Sequence, residues 1–221
     1  MQEKARLLRE IEEEFRATAG YTGRRRLSPM VREALAAVPR QEFVPPELRE
    51  EAYGNVPLPI GHGQTISQPY IVALMTDLLD PAPAHRVLEV GTGCGYQAAV
   101  LAELVAQVYS VEVVPDLGEA AAARLRRLGY DNVSVRLGDG GQGWPEAAPF
   151  DGILVTAAAD AIPEALVAQL AAGGRMVIPV DGPDAGQDLL LVTKGDDGAV
   201  RSEPVLPVAF VPLVRPRAST D

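Results

Sequence analysis

Residues 86–97 read Arg-Val-Leu-Glu-Val-Gly-Thr-Gly-Cys-Gly-Tyr-Gln, and the fold follows from them. Val87, Leu88 and Val90 form a short apolar run that stops at Gly91. Gly91, Gly93 and Gly95 then alternate with Thr92 and Cys94 before a helix-like apolar segment begins. A strand, a tight glycine turn and a helix start bring bare backbone close to a nucleotide-like ligand. The third glycine follows the second by two positions, so the G-x-G-x-x-G spacing that cradles a dinucleotide pyrophosphate is not met.

Downstream of this stretch, apolar runs that read as strands fall at 86–90, 107–112, 133–137, 150–155, 174–180, 188–194 and 205–213. Helical patterns near 95–106, 115–128 and 163–171 separate the first five. Such alternation builds βαβ units, hence a mainly parallel sheet with helices on both faces. Between the last two strands lies only the turn sequence Gly195-Asp-Asp-Gly198, so these two are expected to pair antiparallel at one sheet edge.

Upstream the chain is helical. Leu7, Leu8, Ile11 and Phe15 share one face of a helix over 2–17. Ser28-Pro29 opens a second helix, with Val31, Leu35 and Val38 facing inward. Glycine- and proline-rich residues 54–66 read as an extended loop. A third helix runs from about Gln68 to Leu79 and closes at Asp80-Pro81, with Ser67 placed to cap it. The expected organisation is a single domain over 1–221. It comprises an N-terminal helical segment (1–80) with a substrate-side loop, an α/β core (81–214) and a frayed tail (215–221).

Composition narrows the possible partners. The 221 residues carry a formal charge of −10, which weighs against a phosphate-backbone partner. Two histidines and one cysteine make a His/Cys metal site improbable, and no metal is expected. The charged N-terminus lacks a signal-peptide core, and no apolar run is long enough to span a membrane. A lone cysteine, Cys94, forms no internal disulfide and points to the cytosol. Arg24, Arg25, Arg26, Arg40 and Arg49 read either as a basic substrate groove or as solvated surface charge.

Three strand ends carry candidate ligand contacts. Glu112 ends the second strand about 20 residues after the glycine turn, where a carboxylate accepts ribose hydroxyls. Gly138-Asp139-Gly140-Gly141 follows the third strand and reads as an adenine-amine acceptor or as an ordinary Asp-Gly turn. After the fourth strand stands Thr156-Ala-Ala-Ala159, without the Asn/Asp-Pro-Pro-Tyr/Phe carried by enzymes that methylate base amino groups. Ser67 is both a helix cap and, beside free N–H groups, a site for an incoming carboxylate.

Taken together, Gly63-Gln-Thr-Ile-Ser-Gln-Pro-Tyr-Ile-Val-Ala73, Val87-Leu-Glu-Val-Gly-Thr-Gly-Cys-Gly-Tyr-Gln97, Gly138-Asp-Gly140, Phe150-Asp-Gly-Ile-Leu-Val-Thr-Ala-Ala158 and Gly173-Gly-Arg-Met-Val-Ile-Pro-Val180 resemble the protein-L-isoaspartate O-methyltransferase family over roughly residues 25–213. The resemblance implies a Rossmann-like class I S-adenosylmethionine-dependent methyltransferase fold, with S-adenosyl-L-methionine as cofactor and S-adenosyl-L-homocysteine as product. It implies Ser67 as the active-site serine. Thr65, Ile66 and Gln68 would lie where methyl donor and substrate meet, and Glu89, Gly91, Thr92, Gly93, Glu112, Asp139 and Gly140 would hold the cofactor. It also implies a C-terminal segment over the site, here Val208-Ala-Phe-Val-Pro-Leu213, where Ala209 replaces an arginine common in bacterial relatives. The implied partners are isoaspartyl-containing proteins and peptides, met by a cytoplasmic monomer without nucleic acid or membrane. An O-methyltransferase of small molecules is the alternative reading.

Overall fold

The computed structural model describes residues 2–182 and 186–214; the expected tail at 215–221 lies outside them. Helix α1 (Gln2–Thr22) buries Leu7, Leu8, Ile11 and Phe15, the face its spacing predicts. Helix α2 (Pro29–Ala37) starts at Ser28, whose hydroxyl accepts from the Val31 amide at 3.5 Å. Residues 54–66, expected to be a loop, instead contain a hairpin of β1 (Leu58–Gly61) and β2 (Gln64–Ile66). Its two-residue turn puts His62 (φ 54°) and Gly63 (φ 70°) in the left-handed region, as a primed hairpin turn requires. Four-residue and three-residue strands are too short to leave a period-2 pattern.

Helix α3 (Pro69–Leu79) is buried almost all round and ends at Asp80 in the left-handed region. The core then alternates β3 (Arg86–Val90), α4 (Tyr96–Ala102), β4 (Gln107–Glu112), α5 (Pro115–Arg127), β5 (Val133–Leu137), β6 (Phe150–Val155) and α6 (Glu164–Gln169). β7 (Leu170–Asp181), β8 (Gln187–Lys194) and β9 (Val200–Val208) complete a seven-stranded sheet ordered β5-β4-β3-β6-β7-β8-β9. The first five of these strands in chain order, β3 to β7, run parallel, and β8 is antiparallel to both neighbours. The reversed strand therefore lies one place in from the edge.

Side chains alternate across the sheet as the strand period demands. Val87 and Leu154 pack toward α3 and α4, while Leu88, Val90, Ile153 and Val155 pack toward Leu166 of α6. The chain leaves β3 for β4 and β5 on one side and returns to β6 on the other. This strand-order reversal opens a crevice beyond the C-terminal ends of β3 and β6, where open α/β sheets bind ligands.

One strand is displaced from expectation. β9 occupies 200–208, not 205–213, and its edge position accommodates Pro204 and Pro207. Residues 209–214 leave the strand and cross the sheet end as a strap. Ala158 donates to the Val211 carbonyl (2.8 Å), and Leu213 donates back to Ala158 (2.6 Å). Gln187 clamps the start of the strap, accepting from the Phe210 amide at 2.6 Å.

Candidate active site

The glycine turn sits over the crevice. Gly91 has φ 93°, and a Cβ there would strike the Thr156 hydroxyl. That hydroxyl donates to the Val90 carbonyl at 3.0 Å and the Gly91 carbonyl at 2.7 Å, locking the turn to the end of β6. Gly140 is buried with its bare Cα against Val90, so any side chain there would collide with the cavity wall. Gly91, Thr92, Gly93, Glu112 and Gly140 all line one cavity, roofed by Val211–Val214 of the strap.

Glu112 is 5% exposed and thoroughly engaged. One carboxylate oxygen accepts from Gly93 N (2.7 Å), and the other accepts from Val113 N and Val114 N (2.9 Å each). A carboxylate offers about four acceptor sites, so capacity remains on the oxygen bonded to Gly93. Glu112 thus braces the turn as well as facing the cavity.

Two residues expected to hold the cofactor, Glu89 and Asp139, do not line this cavity. Glu89 is 0% exposed and off the cavity wall, because strand alternation turns it under α4. It accepts from the Ser110 hydroxyl, which shares a 2.5 Å hydrogen bond with Thr92, and its second oxygen has no partner among the described residues. Burial pushes the Glu89 carboxyl up to about 8, and the Ser110 hydrogen bond offsets only part of that. Asp139 turns its carboxylate back onto Gly141 N (2.9 Å) and caps a short 3-10 turn instead of lining the cavity.

The substrate-side loop lies across from the glycine turn. Ser67 does not cap α3: Gln68 occupies the N-cap position and makes no side-chain cap bond. Asn55 does that work from outside, accepting from the Tyr70 amide at 3.0 Å. Thr65, Ile66 and Ser67 line the cofactor-side cavity. Gln68 lies outside it, in a second cavity of about 660 Å³, where it donates toward Glu14. That cavity is bounded by α1, α3 and the strap, through Glu14, Thr18, Pro57, Tyr70, Leu206 and Phe210 among others. Burial raises the Glu14 carboxyl above its ordinary range. Thr65, Ser67, Thr156 and Val211 line both cavities and mark their junction. Thr156 is not among the residues expected to touch ligand, although its position at the fourth strand end is an available signal; Val211 belongs to the C-terminal segment that the resemblance implies over the site.

The five arginines divide. Arg25, Arg26 and Arg49 are exposed, Arg24 pairs with Asp77 (3.5 Å), and none of the five lines either cavity. Arg40 is fully buried, so it is neither surface charge nor groove. Cys94 is buried too, and burial raises its thiol. Among the described residues no three His, Cys, Asp or Glu side chains group as metal ligands, and no helix is long and apolar enough to cross a membrane.

Comparison with known proteins agrees with this geometry. The chain is 60% identical over 210 residues to protein-L-isoaspartate O-methyltransferase 2 of Syntrophobacter fumaroxidans, covering 95% of this chain and 85% of that one. To the enzyme of the same name from a Polaromonas species it is 57% identical over 211 residues, 96% of this chain and 100% of the other. A solved protein-L-isoaspartate O-methyltransferase superposes with a TM-score of 0.81 at 30% identity, covering 95% of this chain and 65% of that one. A Plasmodium falciparum structure of the same description, in complex with S-adenosyl-L-homocysteine, gives a TM-score of 0.76 at 27% identity, with 93% and 97% covered. The fold is that of class I S-adenosylmethionine-dependent methyltransferases. The profile of the protein-L-isoaspartate(D-aspartate) O-methyltransferase family matches residues 21–218, and the chain belongs to that family.

Proposed function

We propose that the protein methylates the free α-carboxylate of L-isoaspartyl residues in damaged proteins and peptides, beginning their repair. The observation that carries this reading is the junction of two cavities at Thr65, Ser67, Thr156 and Val211. One is walled by bare glycine backbone and a carboxylate, and the other by mixed apolar and polar side chains on a scale suited to a peptide.

The cofactor-side residues fit S-adenosyl-L-methionine. Glycine backbone at Gly91–Gly93 admits close approach, the remaining acceptor capacity of Glu112 suits ribose hydroxyls, and Gly140 leaves room for a flat ring. Bound there, the cofactor supplies an electrophilic methyl group on a positively charged sulfur. Asp139 and Glu89 support this wall from behind: Asp139 shapes the turn beside Gly140, and Glu89 sits beneath Thr92 through Ser110.

An isoaspartyl linkage routes the backbone through the side-chain carboxyl and leaves the α-carboxylate exposed. That group is ionised at neutral pH, so the site needs no strong base. Its tasks are alignment and water exclusion. Ser67 donates its hydroxyl to the incoming carboxylate, Ile66 and Val211 supply apolar walls, and the strap keeps solvent off the junction. In the resulting peptide ester, attack by the following backbone nitrogen expels methanol and closes a succinimide, whose hydrolysis returns part of the chain to normal aspartate.

Both parts of the chain, 1–80 and 81–214, contribute walls to the junction, which supports a single catalytic domain. The net charge of −10 supports a protein partner over a phosphate backbone, and a cytoplasmic monomer completes the reading. The test is transfer of an isotopically labelled methyl group to a synthetic isoaspartyl peptide. A base-labile ester that decays through a succinimide is expected; a base-stable methylated product would reject the reading.

A further inference from the structure

Arg40 is 1% exposed, yet none of the ion pairs among the described residues includes it. Removing a cation from water without a carboxylate is costly, and an apolar side chain of similar volume would fill the space without that cost. The guanidinium makes specific contacts instead. Its Nε donates to the Ala52 carbonyl at 2.9 Å, and one terminal nitrogen donates to the Ser67 carbonyl at 2.8 Å. The other terminal nitrogen has no hydrogen-bond partner within geometric reach among the described residues. The group lies 4.7 Å from the ring centre of Tyr96, the first residue of α4, which also lines the cofactor-side cavity.

One planar cation therefore touches three segments: the chain after α2, the substrate loop at Ser67 and the helix that follows the glycine turn. Arg40 holds the Ser67 carbonyl while Asn55 holds the Tyr70 amide, so the two fastenings act on different groups of the same loop-to-helix junction. We propose that Arg40 is a positioning residue for methyl transfer: its fork holds the Ser67 carbonyl against the cofactor-side helix and thereby sets the Ser67 hydroxyl at the junction of the two cavities. This rests on the reading of Ser67 given above. Lysine cannot substitute, since a compact ammonium lacks the fork that reaches two carbonyls while lying flat on a ring.

The test uses R40K and R40Q in the full chain, with Lys194→Met as control. Lys194 donates to the Val167 and Leu170 carbonyls, away from both cavities, so its loss affects the fold alone. Glutamine removes the buried charge, which favours a folded variant even if lysine does not give one. Thermal midpoint, S-adenosyl-L-homocysteine affinity and single-turnover transfer to an isoaspartyl peptide are measured together. In whichever Arg40 variant folds, affinity should stay within about threefold while the transfer rate falls by about 10²-fold, the scale of a misplacement of about 1 Å. Lys194→Met should lose thermal stability and keep its rate. A rate loss under about tenfold in a folded Arg40 variant, an equal loss in the control, or failure of both Arg40 variants to fold would overturn the proposal. If Ser67→Ala also transfers at the wild-type rate, the Ser67 reading itself fails; if only the Arg40 variants do, this proposal alone fails.

Discussion

The cofactor wall takes Gly91–Gly93, Glu112, Gly140 and Thr156 from the ends of neighbouring strands, while the substrate wall gathers Glu14, Pro57, Ser67, Gln68, Tyr70 and Leu206–Val211 from distant parts of the chain. The first wall is rigid because the sheet aligns its strand ends and Glu112 and Thr156 tie the turn down. The second has no shared scaffold. It is assembled by point fastenings: Asn55 on Tyr70, Gln187 on Phe210, Thr18 on Tyr70 (2.6 Å) and Arg40 on Ser67. Changes to the first wall should therefore act mainly on cofactor affinity, and changes to the second on transfer.

The largest effect is expected at Ser67. Ser67→Ala should lower the single-turnover rate by about 10²–10³, the scale for one oriented donor lost from a transition state. Because Ser67 does not cap α3, its thermal midpoint should hardly move. A destabilised variant of normal rate would return Ser67 to a structural role.

Glu112→Gln comes next and should act on the other wall. Replacing a charged acceptor by a neutral one should weaken S-adenosylmethionine binding by about one to two orders of magnitude, read by calorimetric titration. Some stability should be lost as well, since three backbone amides depend on that carboxylate. Unchanged affinity would remove Glu112 from the ribose site.

Glu89 sharpens the contrast between contact and support. With its native value near 8 and an ordinary value of 4.5, the folded state holds a proton between these pH values that the unfolded chain releases. The ligand-free protein should thus lose stability as pH rises through that window. Glu89→Gln should remove this fall, with midpoints crossing above wild type by on the order of several degrees at the alkaline end. Ser110 and Glu112 act on the same carboxyl, with Thr92 behind Ser110, and all three are unchanged in the variant. Parallel pH–midpoint curves would show that Glu89 is already ionised.

Asn55→Ala should cost about 1 kcal/mol, the usual value of a helix cap, in thermal or denaturant unfolding. The smallest effect belongs to Cys94→Ala. The thiol is buried, its ionisation is disfavoured, and carboxylate methylation needs no covalent intermediate. Activity should stay within about threefold; a loss beyond a hundredfold with intact cofactor binding would point to thiol chemistry.

The difference between the walls also explains what the sequence disclosed. Strand–helix alternation, the Gly91–Gly95 turn and Glu112 are local patterns, and each stands where its spacing places it. Glu89 entered only through the family resemblance, as a residue that would hold the cofactor, and its burial depends on α4 packing over that face of β3. Asp139 had two readings, and its bond to Gly141 N is the one that the turn-forming reading describes. The hairpin of β1 and β2 was too short to register. The shifted β9 and the strap depend on edge prolines and on pairing with Ala158, which no window of neighbouring residues contains. Arg40 looked like every other arginine until three distant segments closed around it.

The central claim is that the junction at Ser67 accepts a carboxylate presented by an isoaspartyl backbone, and not carboxylates in general. Its most direct test compares methyl transfer to an isoaspartyl peptide, to its aspartyl twin and to a small free carboxylic acid under identical conditions. The account predicts that kcat/KM for the isoaspartyl peptide exceeds both others by about 10² or more, since only that linkage brings an α-carboxylate into the junction while the peptide fills the adjoining cavity. Equal rates on the twin peptides, or faster transfer to the small acid, would contradict it.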